Sequence, residues 1–349
     1  MSKHKVIGIL TISLDRLSDD FPPYLDLSER LLELDAQLIV FTPYGINWKQ
    51  KTVSGLILTK GNWEIGITSW PNAVYNRLYG THSRFIARLA DELGMGMVFN
   101  EMNRLDKLEI HHVLTNSKVG EYLPDTVDFS WKNLLFWLTK YKRIILKPKR
   151  GHYGKNVYLL VNTEDEYYVF IGSMNNPKYK FDKSGELKKW ADETQADLPN
   201  QDFLIQKWIE SAKFAGRYFD VRLLVQKNNQ GNWETTAAVS RIARYNFFIS
   251  NIVYQIVDSQ WLFVQLGWKD LVLIMKDIGL QVGEILCEKL GSFGELSIDF
   301  LVDAQANPWI IEINGKPTKT LFTKVVNDNV LSKIYLNPIE YALYLSGIN

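Results

Sequence analysis

The chain has one cysteine, Cys287, in 349 residues. That excludes an intramolecular disulfide framework and a cysteine-rich zinc site. The five histidines, at positions 4, 82, 111, 112 and 152, form no H-E-x-x-H pair, which removes the helical zinc-protease pattern. Neither charge dominates: 40 Lys and Arg balance 39 Asp and Glu, so there is no basic field to attract nucleic acid. No apolar run reaches membrane-spanning length, and the opening MSKHKVIGILTIS is too short in apolar residues for a signal peptide. The expectation is a soluble, cytoplasmic protein with neither nucleic acid nor membrane as partner. No G-x-G-x-x-G follows a strand. The nearest match, Gly94-Met-Gly96, follows a helical stretch, so a dinucleotide site is not expected.

What is present is enough apolar sequence, 46%, for two or three domains around large cores. Residues 1–110 read as a small α/β unit. It has strands at Lys5–Thr11, Gln37–Phe41, Gly55–Leu58 and from Met97, and helices at Leu25–Leu34 and Asn76–Leu93. This alternation predicts a mostly parallel, doubly wound sheet. Residues 111–205 form a second unit: Asn116-Ser117-Lys118 opens a helix, Trp131–Thr139 is another, and the strand Ile144–Lys147 runs into Pro148. Residues 206–329 form a third, with paired strands Arg217–Gln226 and Asn232–Arg244 and a long helix Trp268–Leu290. Residues 330–349 read as a helix that packs back. Cys287 falls in the long helix, as a small core filler.

The most informative stretch is Gly294–Pro317. Its period-2 alternation around a polar turn at Asp303–Pro308 is a hairpin pattern. Asp299 lies inside one strand, and Glu312 and Asn314 lie two apart on the other, hence on one face. Two carboxylates and an amide oxygen converging across a hairpin suit a hard cation such as Mg²⁺; the alternative is a solvated strand face. Upstream, Lys147-Pro148 enters Lys149-Arg-Gly151-His152-Tyr153-Gly154, and a strand resumes at Val157. Such a loop can close its N–H groups over anionic oxygens, or it can be a plain flexible hairpin. It is not a Walker A loop, because its glycines are too close and Asn156 stands where Ser or Thr is needed.

These motifs, taken in order, resemble the ATP-grasp superfamily, and within it the YheC/YheD group of endospore coat-associated proteins. The residues that carry the resemblance are Lys118, Ile145-Leu-Lys147-Pro148 with its glycine loop, Gln206-Lys-Trp-Ile209 and Asp220-Val-Arg222. They continue with Ser240-Arg241, Ser250-Asn251, Asp299 and Glu312-Ile-Asn314. The resemblance implies an N-terminal Rossmann-like domain followed by two α+β subdomains that clamp ATP. By the same resemblance, Lys147, Lys118 and Lys149 would meet the phosphates. The loop Gly151-His152-Tyr153-Gly154 would cover them, and Gln206, Lys207, Trp208 and Ile209 would line the adenine. Asp220 would be structural or near the ribose, and Asn251 would border the nucleotide. Arg222 and Arg241 would face the transferring phosphoryl group, unless they are ordinary cross-strand ion pairs. Asp299, Glu312 and Asn314 would hold one or two Mg²⁺. The implied activity is an ATP-dependent carboxylate–amine (or thiol) ligase that works through an acyl phosphate, with an amino acid or peptide among the acceptors. Against it stands a structural protein of the spore coat without turnover. Spore-coat proteins and a second copy of the chain are the implied partners. The chain departs from the superfamily after Asn251, where no glycine follows until Gly267, and after Asn314, where Gly315-Lys316-Pro317 replaces a Pro-Gly loop.

Overall fold

The computed structural model describes residues 5–15, 31–78, 82–102, 104–151, 154–163, 166–198, 202–249 and 251–347. Three sheets follow one another along the chain. The first comprises β1 (Lys5–Leu10), β2 (Ala36–Phe41), β3 (Ile46–Asn47), β4 (Thr52–Thr59), β5 (Asn62–Ser69), β6 (Ala73–Asn76) and β7 (Val98–Phe99). Its order is β3-β4-β2-β1-β6-β7, with β5 on β4. KVIGIL and AQLIVF are almost unbroken apolar runs because both faces of these parallel strands are covered. The pairs β1–β2, β1–β6 and β6–β7 are parallel, while β4 pairs antiparallel with β2, β3 and β5. The sheet is therefore mixed, not mostly parallel. Helix α1 spans Ser83–Leu93, so the helix expected from Asn76 starts later. Ala73–Asn76 is fully buried beside β1 and is drawn into the sheet instead. Of the helix expected at Leu25–Leu34, residues 25–30 lie outside the described residues.

Helix α2 (Lys107–Thr115) leads to the second sheet. The carboxylate of Asp106 caps α2 by accepting the N–H groups of Leu108 and Glu109 at 3.0 and 3.2 Å. Asn116 is the other cap, so Asn116-Ser117-Lys118 ends a helix where it was expected to open one. The second sheet holds β8 (Thr126–Asp128), β9 (Arg143–Pro148), β10 (Tyr158–Asn162), β11 (Tyr167–Ile171), β12 (Tyr179–Phe181) and β13 (Phe203–Lys207), in the order β12-β11-β10-β9-β13-β8. Helices α3 (Trp131–Tyr141) and α4 (Ser184–Ala196) cover it, burying Leu134, Leu138, Leu187 and Trp190 with Ile144, Leu146 and Ile205.

The third sheet holds β14 (Lys213–Phe214), β15 (Arg217–Lys227), β16 (Trp233–Ala243), β17 (Val253–Asp258), β18 (Glu295–Val302) and β19 (Pro308–Asn314). Its order is β17-β16-β15-β18-β19, with β14 on β15. Helix α5 (Ser259–Leu266) stops at Gly267, whose φ of 80° no helix continues, and α6 (Leu271–Leu290) follows. The expected helix from Trp268 is thus the second of two. Gly279 lets α6 approach the sheet, since a Cβ there would lie 2.5 Å from Leu223 Cδ2. Helix α7 (Asp328–Leu345) packs on β6, β15 and β16, tying the first sheet to the third. No helix among the described residues is long and apolar enough to cross a membrane.

The tie is polar as well. Asn100 Nδ2 donates to the carbonyls of Glu295 (2.7 Å) and Gly315 (2.6 Å). The wholly buried Glu295 carboxylate accepts from Arg77 Nη1 at 3.0 Å, Gln226 Nε2 at 2.9 Å and the Tyr75 hydroxyl. Lys319 Nζ lies 3.4 Å away. Desolvation pushes this carboxyl up, but Lys319 and Arg77 outweigh it and hold it below the usual carboxylate range. Between Asn100 and Glu295 sits Gly294, where a Cβ would lie 2.5 Å from the Phe99 ring and 2.7 Å from Tyr341. Gly294→Ala overpacks this junction. We expect a loss of about 1–3 kcal/mol in denaturant unfolding. An unchanged midpoint would show that the rings can move aside.

Candidate nucleotide site

Four neighbouring strands of the third sheet carry one row of charge. Across the ladders, Asp220 faces Arg241, Arg222 faces Asp299, and Asp299 faces Glu312. Because Asp220 and Arg222 are two apart on β15, all five lie on one face. Asp299, 2% exposed, receives Arg222 Nε and Nη2 at 2.7 and 2.6 Å and Arg241 Nη2 at 2.9 Å. Arg241 also gives Nε to Asp220 at 2.8 Å, with a second bond from Nη2. Its Nη1 reaches Asn251 Oδ1 at 3.3 Å. Both arginines are thus in cross-strand ion pairs, the alternative given for them above. They close a fork–fork network on buried carboxylates. Burial alone would push Asp299 up; Arg222 and then Arg241 reverse that and bring it to about 2.

The second sheet faces this row with Lys147 at the end of β9. Lys147 is 8% exposed, and its ammonium donates to Gln206 Oε1 at 2.8 Å and to the Ile311 carbonyl at 3.0 Å. The second bond depends on a bulge. The β18–β19 register passes from Asp299↔Glu312 to Phe300↔Ile310, leaving Ile311 out of the ladder and its carbonyl free to turn across the cleft. Desolvation, reinforced by Lys107, lowers Lys147 to about 7, against the opposing pull of Glu312 and Asp299. Lys107, at the start of α2, donates to the Gly151 carbonyl at 3.2 Å and pairs with Glu312 Oε1 at 3.2 Å.

Between the two sheets lies a cleft of about 900 Å³, its open mouth included. That is within the range of small-molecule sites. Its polar end is formed by Lys107, Lys147, Asp220, Arg241, Asp299 and Glu312. Gly151 and Gly154 stand at the rim with Asn251. The other end is apolar, with Ile145, Ile209, Phe248, Leu301 and Ile311 beside Trp208, whose ring meets Phe248 edge-on at 5.9 Å. Gln206 and Lys207 also line it; the Gln206 amide is held by Thr126 Oγ1 at 3.0 Å.

Other expected residues sit elsewhere. Lys118 is exposed and is not among the cleft residues, because the segment that carries it follows α2. Lys149 turns to Asp128, 2.9 Å away, and does not line the cleft either. Arg222 reaches the site only through Asp299. Asn314 lines a smaller adjoining cavity. His152, Tyr153 and Ser250 lie outside the described residues. Lys107 was missed, although the Asp106-x-x-Glu109 pattern marks a helix start beside it.

Among the described residues no group of three His, Cys, Asp or Glu side chains could hold a metal ion. The candidate set is two carboxylates and one amide, Asp299, Glu312 and Asn314. Asp299 Oδ2 takes two donors and Oδ1 only one. One lone pair is left there, with Glu312 opposite it in the ladder. An all-oxygen set of this kind, short of ligands by itself, fits Mg²⁺ that completes its shell with phosphate oxygens and water.

This architecture is that of an ATP-grasp protein. The family model described as YheC/D like ATP-grasp matches residues 96–345, and the chain belongs to that family. The endospore coat-associated protein YheD of Bacillus subtilis (strain 168) is 27% identical over 98% of this chain and 79% of its own length. Among solved structures, D-cycloserine synthetase DcsG superposes with a TM-score of 0.57 at 12% identity, covering 97% of this chain and 99% of its own. The D-alanine-D-alanine ligase from Coxiella burnetii gives 0.54, also at 12% identity, over 99% of this chain and 94% of its own. The shared fold is that of ATP-grasp ligases.

A pH dependence follows from Lys147. A phosphate seated against Lys147 would raise its value from near 7, and nucleotide binding would then draw in a proton above that pH. Affinity for Mg·ADP should be flat below about pH 7 and fall by up to about tenfold per unit above it. Calorimetry at pH 8 in buffers of differing ionisation enthalpy should show proton uptake, absent in Lys147→Met. No uptake in the unsubstituted protein would mean that Lys147 is already charged when empty.

Proposed function

We propose that the chain is an ATP- and Mg²⁺-dependent ligase joining a carboxylate to an amine, or to a thiol, through an acyl phosphate. The observation that carries this reading is Lys147, a buried ammonium reaching across the cleft to Ile311 while Lys107 does the same to Glu312. Two cations held between two sheets, with Arg241 behind them, form a cradle for a polyphosphate. In this reading the adenine lies against Trp208, Ile209 and Leu301, and Gly151 and Gly154 border the phosphates. A carboxylate oxygen of the substrate attacks the γ-phosphorus and ADP leaves with the bridging electron pair. The amine then attacks the acyl carbon, phosphate departs, and the amine loses a proton. Lys147, Lys107 and Arg241 orient the phosphates and offset their charge; no side chain is a covalent nucleophile. Arg222 acts as a positioning residue that holds Asp299. Asp299, Glu312 and Asn314 would hold Mg²⁺, which supplies charge neutralisation at the phosphates. The nucleotide then lies between a central unit at 111–205 and a third at 206–329, with 1–110 preceding them and 330–349 packing back.

The second reading is a spore-coat structural protein that binds nucleotide or nothing. It is favoured by the printed name of the relative YheD.

Thermal unfolding with Mg·ATP separates the ligase from a coat protein that binds nothing, and ADP release in the presence of candidate carboxylates and amines separates it from one that binds nucleotide without turnover. Ligand at a hundredfold its dissociation constant adds about 2.7 kcal/mol. For a chain of this size that is a shift of about 4 °C. Lys147→Ala and Lys107→Ala should abolish the shift, and Glu312→Gln should weaken its Mg²⁺ dependence. Cys287→Ala should leave it intact, since Cys287 faces the Phe293 carbonyl within α6 packing. No shift at millimolar nucleotide would put the coat-protein reading first.

A further inference from the structure

Lys147 reaches across the cleft on a side chain that is itself held within the second sheet. Its ammonium donates to Gln206 Oε1 at 2.8 Å, and Gln206 Nε2 donates to Thr126 Oγ1 at 3.0 Å. Thr126 gives its only hydroxyl proton to the Pro124 carbonyl at 2.9 Å. Thr126 and Ile145 stand on either side of Gln206 in the ladders of β8, β13 and β9. Lys147 lies two residues beyond Ile145, so all four share the face that carries the cleft. Each link runs one way. An ammonium has no acceptor, so the amide must offer Lys147 its oxygen. The amide nitrogen is thereby turned toward β8, where Gln206, 8% exposed, needs an acceptor. A hydroxyl whose proton is committed to Pro124 supplies one.

Resting on the ligase reading for the use made of Lys147, we propose that Thr126 is a positioning residue of the nucleotide site. Thr126 fixes the Gln206 amide, and the amide together with the Ile311 carbonyl fixes the ammonium. Two of the three N–H bonds of Lys147 are then taken among the described residues, and one is left for a phosphate oxygen. Thr126 itself does not line the cleft, so it acts only through Gln206. Without an acceptor at 126 the amide would rotate to find another, and the hold on Lys147 would loosen.

The test follows Lys147 by NMR in the full chain labelled at the lysine ε-carbons, its resonance identified by its loss in Lys147→Met. Thr126→Val removes the hydroxyl and keeps the shape, whereas Thr126→Ser keeps the hydroxyl. Without nucleotide, the titration midpoint of Lys147 should fall in Thr126→Val and return in Thr126→Ser. In Gln206→Met it should fall as well, and Thr126→Val should add nothing to it. The titratable groups that act on Lys147, which are Lys107, Glu312, Asp299 and His111, are the same in all these variants. Mg·ADP should bind about threefold to tenfold more weakly to Thr126→Val, with no further loss on a Gln206→Met background. An unmoved midpoint in Thr126→Val would overturn the proposal. So would an equal loss of Mg·ADP affinity with Gln206 and without it, because Thr126 would then act on the fold or on the nucleotide directly. The remaining lysine resonances report whether each variant is folded, and Thr126→Ala stands in for a Thr126→Val that is not. Failure of Mg·ADP to bind the unsubstituted protein would remove the ligase reading, and the midpoints would still judge Thr126.

Discussion

Asp299 is a carboxylate with almost no access to water, and burial alone would favour its neutral form. Two guanidinium groups hold it ionised, and the rest of the site depends on that pairing. Arg222 and Arg241 are themselves costly to bury without a partner, and Asp220 completes the balance for Arg241. Removing any one member would leave a buried charge without its partner. The network fixes where Glu312 stands, because Glu312 is the cross-strand partner of Asp299. It also fixes the bulge at Ile311, and through its carbonyl the position of Lys147 on the opposite sheet.

β18 repeats this device at its other end. Glu295, four residues before Asp299, is also wholly buried and also held ionised by two cations, Arg77 and Lys319. One carboxylate locks the strand into the cleft, and the other locks it to the first sheet and to the loop that follows β19. A single eight-residue strand thus connects the phosphate end, the first sheet and the loop bearing Lys316. The pairing of charges specifies register: a slip of one residue along β18 would turn both carboxylates toward the α6 core.

What was legible in the sequence was local. Period-2 alternation around a polar turn placed Asp299 opposite Glu312, and the structure pairs them in that register. The strand–glycine loop–strand at Ile144–Val161 and the paired strands around Asn228–Gly231 were legible for the same reason. What was not legible depends on contacts between distant segments. Asn76 belongs to a strand because β1 is beside it, although its sequence continues smoothly into an apolar helical pattern. Lys107 and Lys118 are both lysines near one helix, and only the packing of α2 against the cleft separates a residue at 3.2 Å from Glu312 from an exposed one. The network of Glu295 had no local sign at all, since its members are spread from Tyr75 to Lys319.

Lys147 shows what such a site holds in reserve. Its ordinary value of 10.5 is depressed to about 7, so the folded protein disfavours the charged form. Through that window the unfolded chain binds the extra proton, and the free protein gains stability as pH rises from about 7 toward 10.5. Near neutrality and below, the empty cleft therefore carries an unfavourable term that an anion would relieve. Asp299 has the opposite sign. Its value near 2 lies below the ordinary 3.8, so its contribution is present above about pH 4 and is lost as pH falls toward 2. The fold thus favours the charged form of Asp299 and disfavours that of Lys147, even though the ammonium donates to Gln206 and Ile311. An anion seated against Lys147 would reverse the second of these shifts, and that expectation combines the direction of the shift with the position of Lys147 at the cleft.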